Sequence, residues 1–330
     1  MHDYLAVRPT TKFLNGVTFT RVHFRPYEGH IFLKVYINGQ SRECTLDTRT
    51  TTTHLPQSVD TLAETLPARI FRDIGPPVPG CAPRPLRVSI SPSIQIGDYI
   101  VESIPVRSYT QLPQDPRSVG EPILGNDLFC NVSVTIDRLS ETLIIASPSS
   151  SQAPSHVAGW DQILAFQSTV PGRSGDNLVI LPGIVDNSPS LLAIDTGQFL
   201  EPLCIVDSAI ANRIAIAKRT KFEQVMLLDN VSWSVGGAQY QTMTVTDTRF
   251  AKPFQALIGT PYLLLYRIGI DYSAHHIYLH KYKTNELFDR DTELERNLIF
   301  GQGQLENKAI DHGVGRKIAP NPARSSPAAW

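Results

Sequence analysis

Two aspartates occupy matching places in a pattern that occurs twice. In LLAIDTGQFLEPLCIV, residues 191–206, an apolar run (Leu191, Leu192, Ala193, Ile194) leads straight into Asp195, Thr196 and Gly197. In RECTLDTRTTTTHLPQSV, residues 42–59, Cys44, Thr45 and Leu46 precede Asp47, Thr48 and Arg49. A carboxylate where a buried strand meets a tight turn is costly unless it has a partner or a task. Two carboxylates about 3 Å apart cannot both ionise, so they share one proton. One of them then serves as general base on a water held between the two, while the other donates to a carbonyl oxygen. That chemistry needs neither a metal nor an organic cofactor.

The elements that would position these residues also repeat. HIFLKVYINGQSRECTLDT reads as a β-hairpin, with Ile31, Leu33, Val35 and Ile37 alternating, a turn at Asn38-Gly39 and a second strand ending at Leu46. NLVILPGIVDNSPSLLAIDTG is again a hairpin running into an Asp. SVDTLAETL and VDSAIANRIAI are candidate helices at corresponding places. LRVSISPSIQIGDYIVESIPVRS and QVMLLDNVSWSVGGAQYQTMTV are strand pairs around glycine turns, at Gly97 and at Gly236-Gly237. EPILGNDLFCNVSVTIDRLSETLIIA closes the first unit and ALIGTPYLLLYRIGIDYSAHHIYLH the second. Asp47 and Asp195 are 148 positions apart, whereas Gly125 and Gly259, and Asp137 and Asp271, are 134 apart, so the order survives with the second unit 14 residues shorter.

This ordered set resembles the retropepsin-like aspartic peptidases, of which the pepsin-type enzymes are two-lobed relatives. The motifs are the strand into Asp-Thr-Gly, then Ile123-Leu124-Gly125 or Leu257-Ile258-Gly259, then a strand pair with an Asp at its turn. The likeness covers residues 31–146 and 176–280, about two thirds of the chain. It implies a mainly β fold of two tandem β-barrel lobes about a pseudo-twofold axis, with Asp47 and Asp195 as a catalytic pair. It implies further that Thr48 and Thr196 brace the two loops across the axis, and that each apolar-apolar-Gly segment packs beneath a loop, its glycine giving clearance. Gly197 would allow unusual dihedrals and close approach beside a carboxylate. An extended peptide or protein segment would lie between the lobes as in strand addition, and segments 66–90 and 214–231 fall where the family's flaps should close over it. The domain boundaries that follow are a leader at 1–29, lobes at 30–147 and 175–282 joined by a Ser/Pro-rich linker at 148–174, and a C-terminal helix and disordered tail at 283–330.

Two positions depart from the family pattern. Arg49 stands where the family has Gly, and Gln198 where a small residue is usual. A guanidinium beside the pair would favour the doubly ionised form, lower both pKa values and remove the shared proton. If instead the Arg49 side chain points away, the cost is backbone strain at positive φ. Three readings therefore stand open: an active endopeptidase, a pseudopeptidase that binds a peptide in the same cleft, and a homodimer whose two Asp195 loops pair without Asp47. The plain alternatives are that Asp47 is a relic of a degenerate repeat and Asp195 a turn cap.

Composition sets the outer bounds. Of 330 residues, 42% are hydrophobic and 18% charged, which marks a globular chain with room for two cores. Thirty basic against 31 acidic residues give a net charge of −1, so nothing calls for nucleic acid or an anionic membrane. No signal peptide or membrane-spanning run is expected. Cys44, Cys81, Cys130 and Cys204 lack metal-ligand spacing and read as small apolar residues. HExxH, paired CxxC and GxSxG motifs are absent. His54, seven residues after Asp47, reads as a bland loop histidine.

Overall fold

The computed structural model describes residues 9–27, 30–56, 70–72, 85–109, 122–168, 178–197, 202–248 and 254–283. The fold is mainly β, as composition and pattern anticipate. In the first part of the chain the strands are β1 (Thr10–Phe13), β2 (Phe19–Tyr27), β3 (His30–Ile37), β4 (Gln40–Leu46), β5 (His54–Pro56) and β6 (Ile70–Arg72). β7 (Pro85–Ile96), β8 (Tyr99–Tyr109), β9 (Ile123–Leu124), β10 (Ser133–Asp137) and β11 (Thr142–Ala146) follow. The second part holds β12 (Gln162–Ala165), β13 (Ile180–Val185), β14 (Ser188–Asp195), β15 (Leu203–Ile205), helix α1 (Ser208–Ala217), β16 (Val225–Val235) and β17 (Ala238–Asp247). It ends with β18 (Ala256–Gly259), the single-turn helix α2 (Thr260–Leu263), β19 (Tyr266–Asp271) and β20 (His276–Lys281).

Strands β13, β14, β18, β15, β17 and β16 close into a six-stranded barrel. The others form one continuous sheet in the order β12-β20-β19-β10-β11-β2-β3-β4-β9-β5-β8-β7-β6, with β1 on β8. The alternation read from the sequence places Leu33, Val35 and Ile37 in the core, each at most 1% exposed, with Ile94, Ile96 and Val101 packed against them. In the barrel, Trp233 stacks on Tyr240 at a centroid distance of 4.5 Å, and the hydroxyl of Tyr240 meets those of Tyr262 and Tyr266 at 3.1 and 3.0 Å. Such aromatic rings bury large apolar area while their hydroxyls stay paired. The hairpin between β3 and β4 turns at Asn38 and Gly39, with φ of 51° and 80°, values that explain why Asn-Gly stands there. Helix α1 begins where Asp207 caps it, its carboxylate accepting from Ile210 N at 2.9 Å.

Several segments look different in three dimensions from their sequence reading. The leader carries the anticipated strand GVTFTRVHF, but as β2 it is an integral part of the sheet, paired with both β11 and β3. The linker 148–174 is not featureless. Ala153 is fully buried, Trp160 Nε1 donates to the Pro154 carbonyl at 2.9 Å, and β12 pairs with β20. Of the flap candidate 214–231, residues 214–217 end α1 and 225–231 lie in the barrel wall with Met226, Leu228 and Val231 buried. Only 218–224 remain as a loop, because barrel closure has claimed the rest. The helix expected at SVDTLAETL, residues 66–69 and 73–84 of the first flap, Cys81, Gln198 and the C-terminal helix and tail lie outside the described residues.

Candidate active site

Each Asp lies at the end of a strand pinned by a parallel neighbour. β4 pairs with β9 through Thr45↔Ile123 and Leu46↔Leu124, and β14 pairs with β18 through Ala193↔Leu257, Ile194↔Ile258 and Asp195↔Gly259. Asp47 N donates to the Leu124 carbonyl at 3.0 Å, so Asp47 and Asp195 emerge at the same height beside their glycines. The glycine at 125 is obligatory, since a Cβ there would lie 2.8 Å from the Thr50 carbonyl oxygen.

The loops that follow the two strands interlock. Thr48 N donates to Thr196 Oγ1 at 3.0 Å, and Thr196 N donates to Thr48 Oγ1 at 3.1 Å. Each hydroxyl then donates to the strand before the other Asp, Thr48 Oγ1 to the Ile194 carbonyl at 3.1 Å and Thr196 Oγ1 to the Leu46 carbonyl at 2.9 Å. Both threonines are 2% exposed. All four groups are thereby satisfied inside the protein, and neither loop can shift without leaving buried donors unpaired.

Residues that the motif reading passed over complete the frame. Asn126 Nδ2 donates to the Thr48 carbonyl and Asn126 Oδ1 accepts from Tyr272 OH at 2.7 Å, while at the corresponding place Thr260 Oγ1 donates to the Thr196 carbonyl at 3.1 Å. Asp127 accepts from Thr53 N and Thr53 Oγ1, both at 2.8 Å, and burial pushes its pKa up to about 7. The signal for these residues was present: polar side chains immediately after Gly125 and Gly259, where an apolar strand would otherwise continue.

The two carboxyls face each other. A Cβ placed on Gly197 would stand 3.0 Å from Asp47 Cγ and Oδ2 and 3.2 Å from Asp195 Oδ1, so any larger residue would push the two carboxyls aside by a few tenths of an ångström. Gly197 is not in the left-handed region, and close approach alone accounts for it. The surroundings of the pair are unequal. Asp47 Oδ1 accepts from Arg49 N at 2.9 Å and Thr50 N at 3.2 Å, and Oδ2 accepts from Thr50 Oγ1 at 2.7 Å. Among the described residues, Asp195 Oδ1 accepts from Gly197 N alone, at 2.9 Å, and Oδ2 is buried with no hydrogen-bond donor. Donors favour the ionised form, so Asp195, with fewer donors among the described residues, is the better placed of the two to hold a proton. Burial, and then the Asp47 charge, raise the pKa of Asp195 to about 7, against the opposing pull of Arg49 and the Gly197 N–H.

Arg49 resolves differently from either sequence expectation. Its backbone is not left-handed, so the anticipated positive-φ strain does not arise. Its side chain does reach the pair, with Nε 3.4 Å from Asp195 Oδ2. Burial works against the Arg49 charge, but the carboxylates of Asp195 and Asp47 outweigh it and raise its pKa. The expected loss of the shared proton does not follow at Asp195, because one half-exposed guanidinium is outweighed there by burial and by Asp47.

Of the other candidates, Ile123, Leu124, Leu257, Ile258 and Gly259 lie in β9 and β18 beneath the loops. His54 sits in β5, rather than in a loop, beside Ile123. Cys44 and Cys204 are buried and Cys130 is partly buried. Among the described residues no group of His, Cys, Asp or Glu has a metal-holding arrangement, and no helix is long and apolar enough to cross a membrane. Neither a protein-family model nor a curated protein matches the chain.

Proposed function

We propose that the chain is a single-chain, two-lobed aspartic endopeptidase of the retropepsin-like type, cleaving an extended peptide or protein segment between its lobes with Asp47 and Asp195. The observation that carries the reading is the reciprocal threonine lock, which holds two unlike carboxyls face to face at the ends of equivalent strands. A pseudo-twofold relation between the lobes is supported by the pairing of β10 with β19. Thr135 pairs with Gly269, its counterpart 134 positions on, flanked by Val134↔Ile270 and Ile136↔Ile268. That is the register two copies of one strand adopt across a twofold axis. Asp137 and Asp271 make the same turn, accepting from the N–H groups two and three residues ahead.

In the proposed reaction a water oxygen bonds to the scissile carbonyl carbon as Asp47 takes its proton, and Asp195 gives its proton to the carbonyl oxygen. Collapse of the resulting gem-diol breaks the C–N bond. Asp47 then returns a proton to the amine nitrogen, and Asp195 recovers one from the diol. No resident cofactor enters. The peptide would be held by main-chain hydrogen bonds, and the working unit is a monomer with an internal pair.

A second reading, a pseudopeptidase that binds but does not cut, is favoured by the Arg49–Asp195 contact at 3.4 Å. One experiment separates the two: hydrolysis of a mixed peptide library between pH 3 and 7 by wild type, Asp47→Asn and Asp195→Asn, with and without a transition-state analogue. The peptidase reading expects cleavage that the analogue blocks and that falls by at least about 10³-fold in each variant. Folded wild-type protein that cuts nothing leaves the binding cleft as the better account.

A further inference from the structure

Position 49 answers to position 197, and the geometry at Gly197 shows where a side chain there must go. A Cβ on Gly197 would point into the space between the carboxyls, 3.0 Å from Asp47 of the opposite half and 3.2 Å from Asp195 of its own. The backbone N–H at each position donates to the Asp two residues before it, at 2.9 Å in both cases. With the same turn in both halves, the side chain at 49 is aimed at Asp195, and Arg49 Nε indeed lies 3.4 Å from Asp195 Oδ2. While one end of the guanidinium meets that carboxyl, 41% of the Arg49 side chain remains exposed. The guanidinium makes no hydrogen bond to any other described residue, its one contact being the ion pair with Asp195. A charged, part-exposed fork beside the acid of a proton-sharing pair stands where negative charge would gather on a carbonyl oxygen under attack.

Resting on the peptidase reading, we propose that Arg49 is a catalytic residue: its guanidinium N–H groups take the negatively charged oxygen of the tetrahedral intermediate. As the water oxygen bonds to carbon, the carbonyl π pair moves onto oxygen. Arg49 stabilises that charge until the Asp195 proton has crossed, and it neither gains nor loses a proton itself. Guanidinium suits the task because its fork presents several donors in one plane and stays charged beside ionised carboxylates. Removing one such preorganised donor elsewhere costs about 10²–10³-fold in kcat.

Two pools of mixed-sequence hexapeptides, identical except for a central phosphinate or a central hydroxyethylene, distinguish this role from a passive one. The phosphinate carries the charged tetrahedral oxygen and the hydroxyethylene a neutral one. The full-length chain and its Arg49→Lys and Arg49→Gln variants would be titrated with each pool at pH 6. Turnover of the peptide library would be followed in parallel, and circular dichroism would check folding. The expected result is a phosphinate preference of at least about tenfold in wild type, lost in Arg49→Gln and partly kept in Arg49→Lys. With it, kcat falls by about 100-fold in Arg49→Gln while KM changes little. Equal binding of the two pools by wild type, or a preference and kcat that survive Arg49→Gln, overturns the role of Arg49 while leaving an Asp47- and Asp195-dependent peptidase intact. Conversely, an Arg49-dependent phosphinate preference without turnover in any protein sinks the peptidase reading and, with it, the catalytic role, leaving Arg49 as an anion-binding group of a cleft that does not cut.

Discussion

Asp47 and Asp195 carry the same side chain into unlike surroundings, and the difference sets a pH dependence. Among the described residues, Asp47 accepts three hydrogen bonds and Asp195 one, and burial with the neighbouring charge lifts Asp195 to about 7. The proposed reaction needs Asp195 protonated, so kcat/KM should hold through mildly acid pH and fall as pH rises through about 7. Arg49 pulls that value down, so Arg49→Gly should move the alkaline limb to higher pH even as the plateau drops for want of the donor. A pH–rate profile of the two proteins checks both movements, and an alkaline limb that stays put or moves down contradicts the assignment of the proton to Asp195. The pair itself was legible in the sequence because a strand running into Asp-Thr leaves few other interpretations when it occurs twice. The direction of the Arg49 side chain was not, since it follows from which way a turn faces across an interface between distant segments. Thr50 was hidden for a plainer reason, one hydroxyl among four consecutive threonines.

Strands and turns were the more readable level. Asn38-Gly39 marks its hairpin, the alternation in β3 marks its buried face, and Asp207 marks the start of α1. What the sequence left out is how the elements share sheets, because pairing partners more than a hundred residues apart leave no local trace. The threonine lock belongs to this level, as it joins the end of β4 to the end of β14. Thr196→Val keeps the shape of the side chain but strips the Leu46 carbonyl of its donor and Thr48 N of its acceptor. With about 1–3 kcal/mol for each buried group left unpaired, the variant should lose about 2–6 kcal/mol of stability. Thr196→Ser retains the hydroxyl and should lose less than half as much. Chemical denaturation of the three proteins measures this directly, and a Val variant as stable as the Ser variant shows that the lock holds nothing.

At the scale of the whole molecule, one sheet runs through both parts of the chain. β10 and β19 pair near one end of it, with β20 and β12 completing that end and β11 and β2 leading into the rest. Tyr272 OH reaches Asn126 from the second part to the first, and Tyr282 OH donates to Asp137 Oδ1 at 2.9 Å. Both carboxyls of the pair are thus supplied and held by one chain, which bears on whether activity needs a second copy. A site shared between two chains assembles by mass action, so its specific activity falls once the protein is diluted below the dissociation constant of the dimer. A site enclosed within one chain has no such dependence. Specific activity should therefore stay constant over a thousandfold dilution into the nanomolar range, and should not return when Asp47→Asn is mixed with Asp195→Asn. Activity that decays on dilution, or that such mixing restores, places the two carboxyls on different chains. In that event the lock between Thr48 and Thr196 must form between copies, and the sheet that joins β10 to β19 must be the surface across which they exchange.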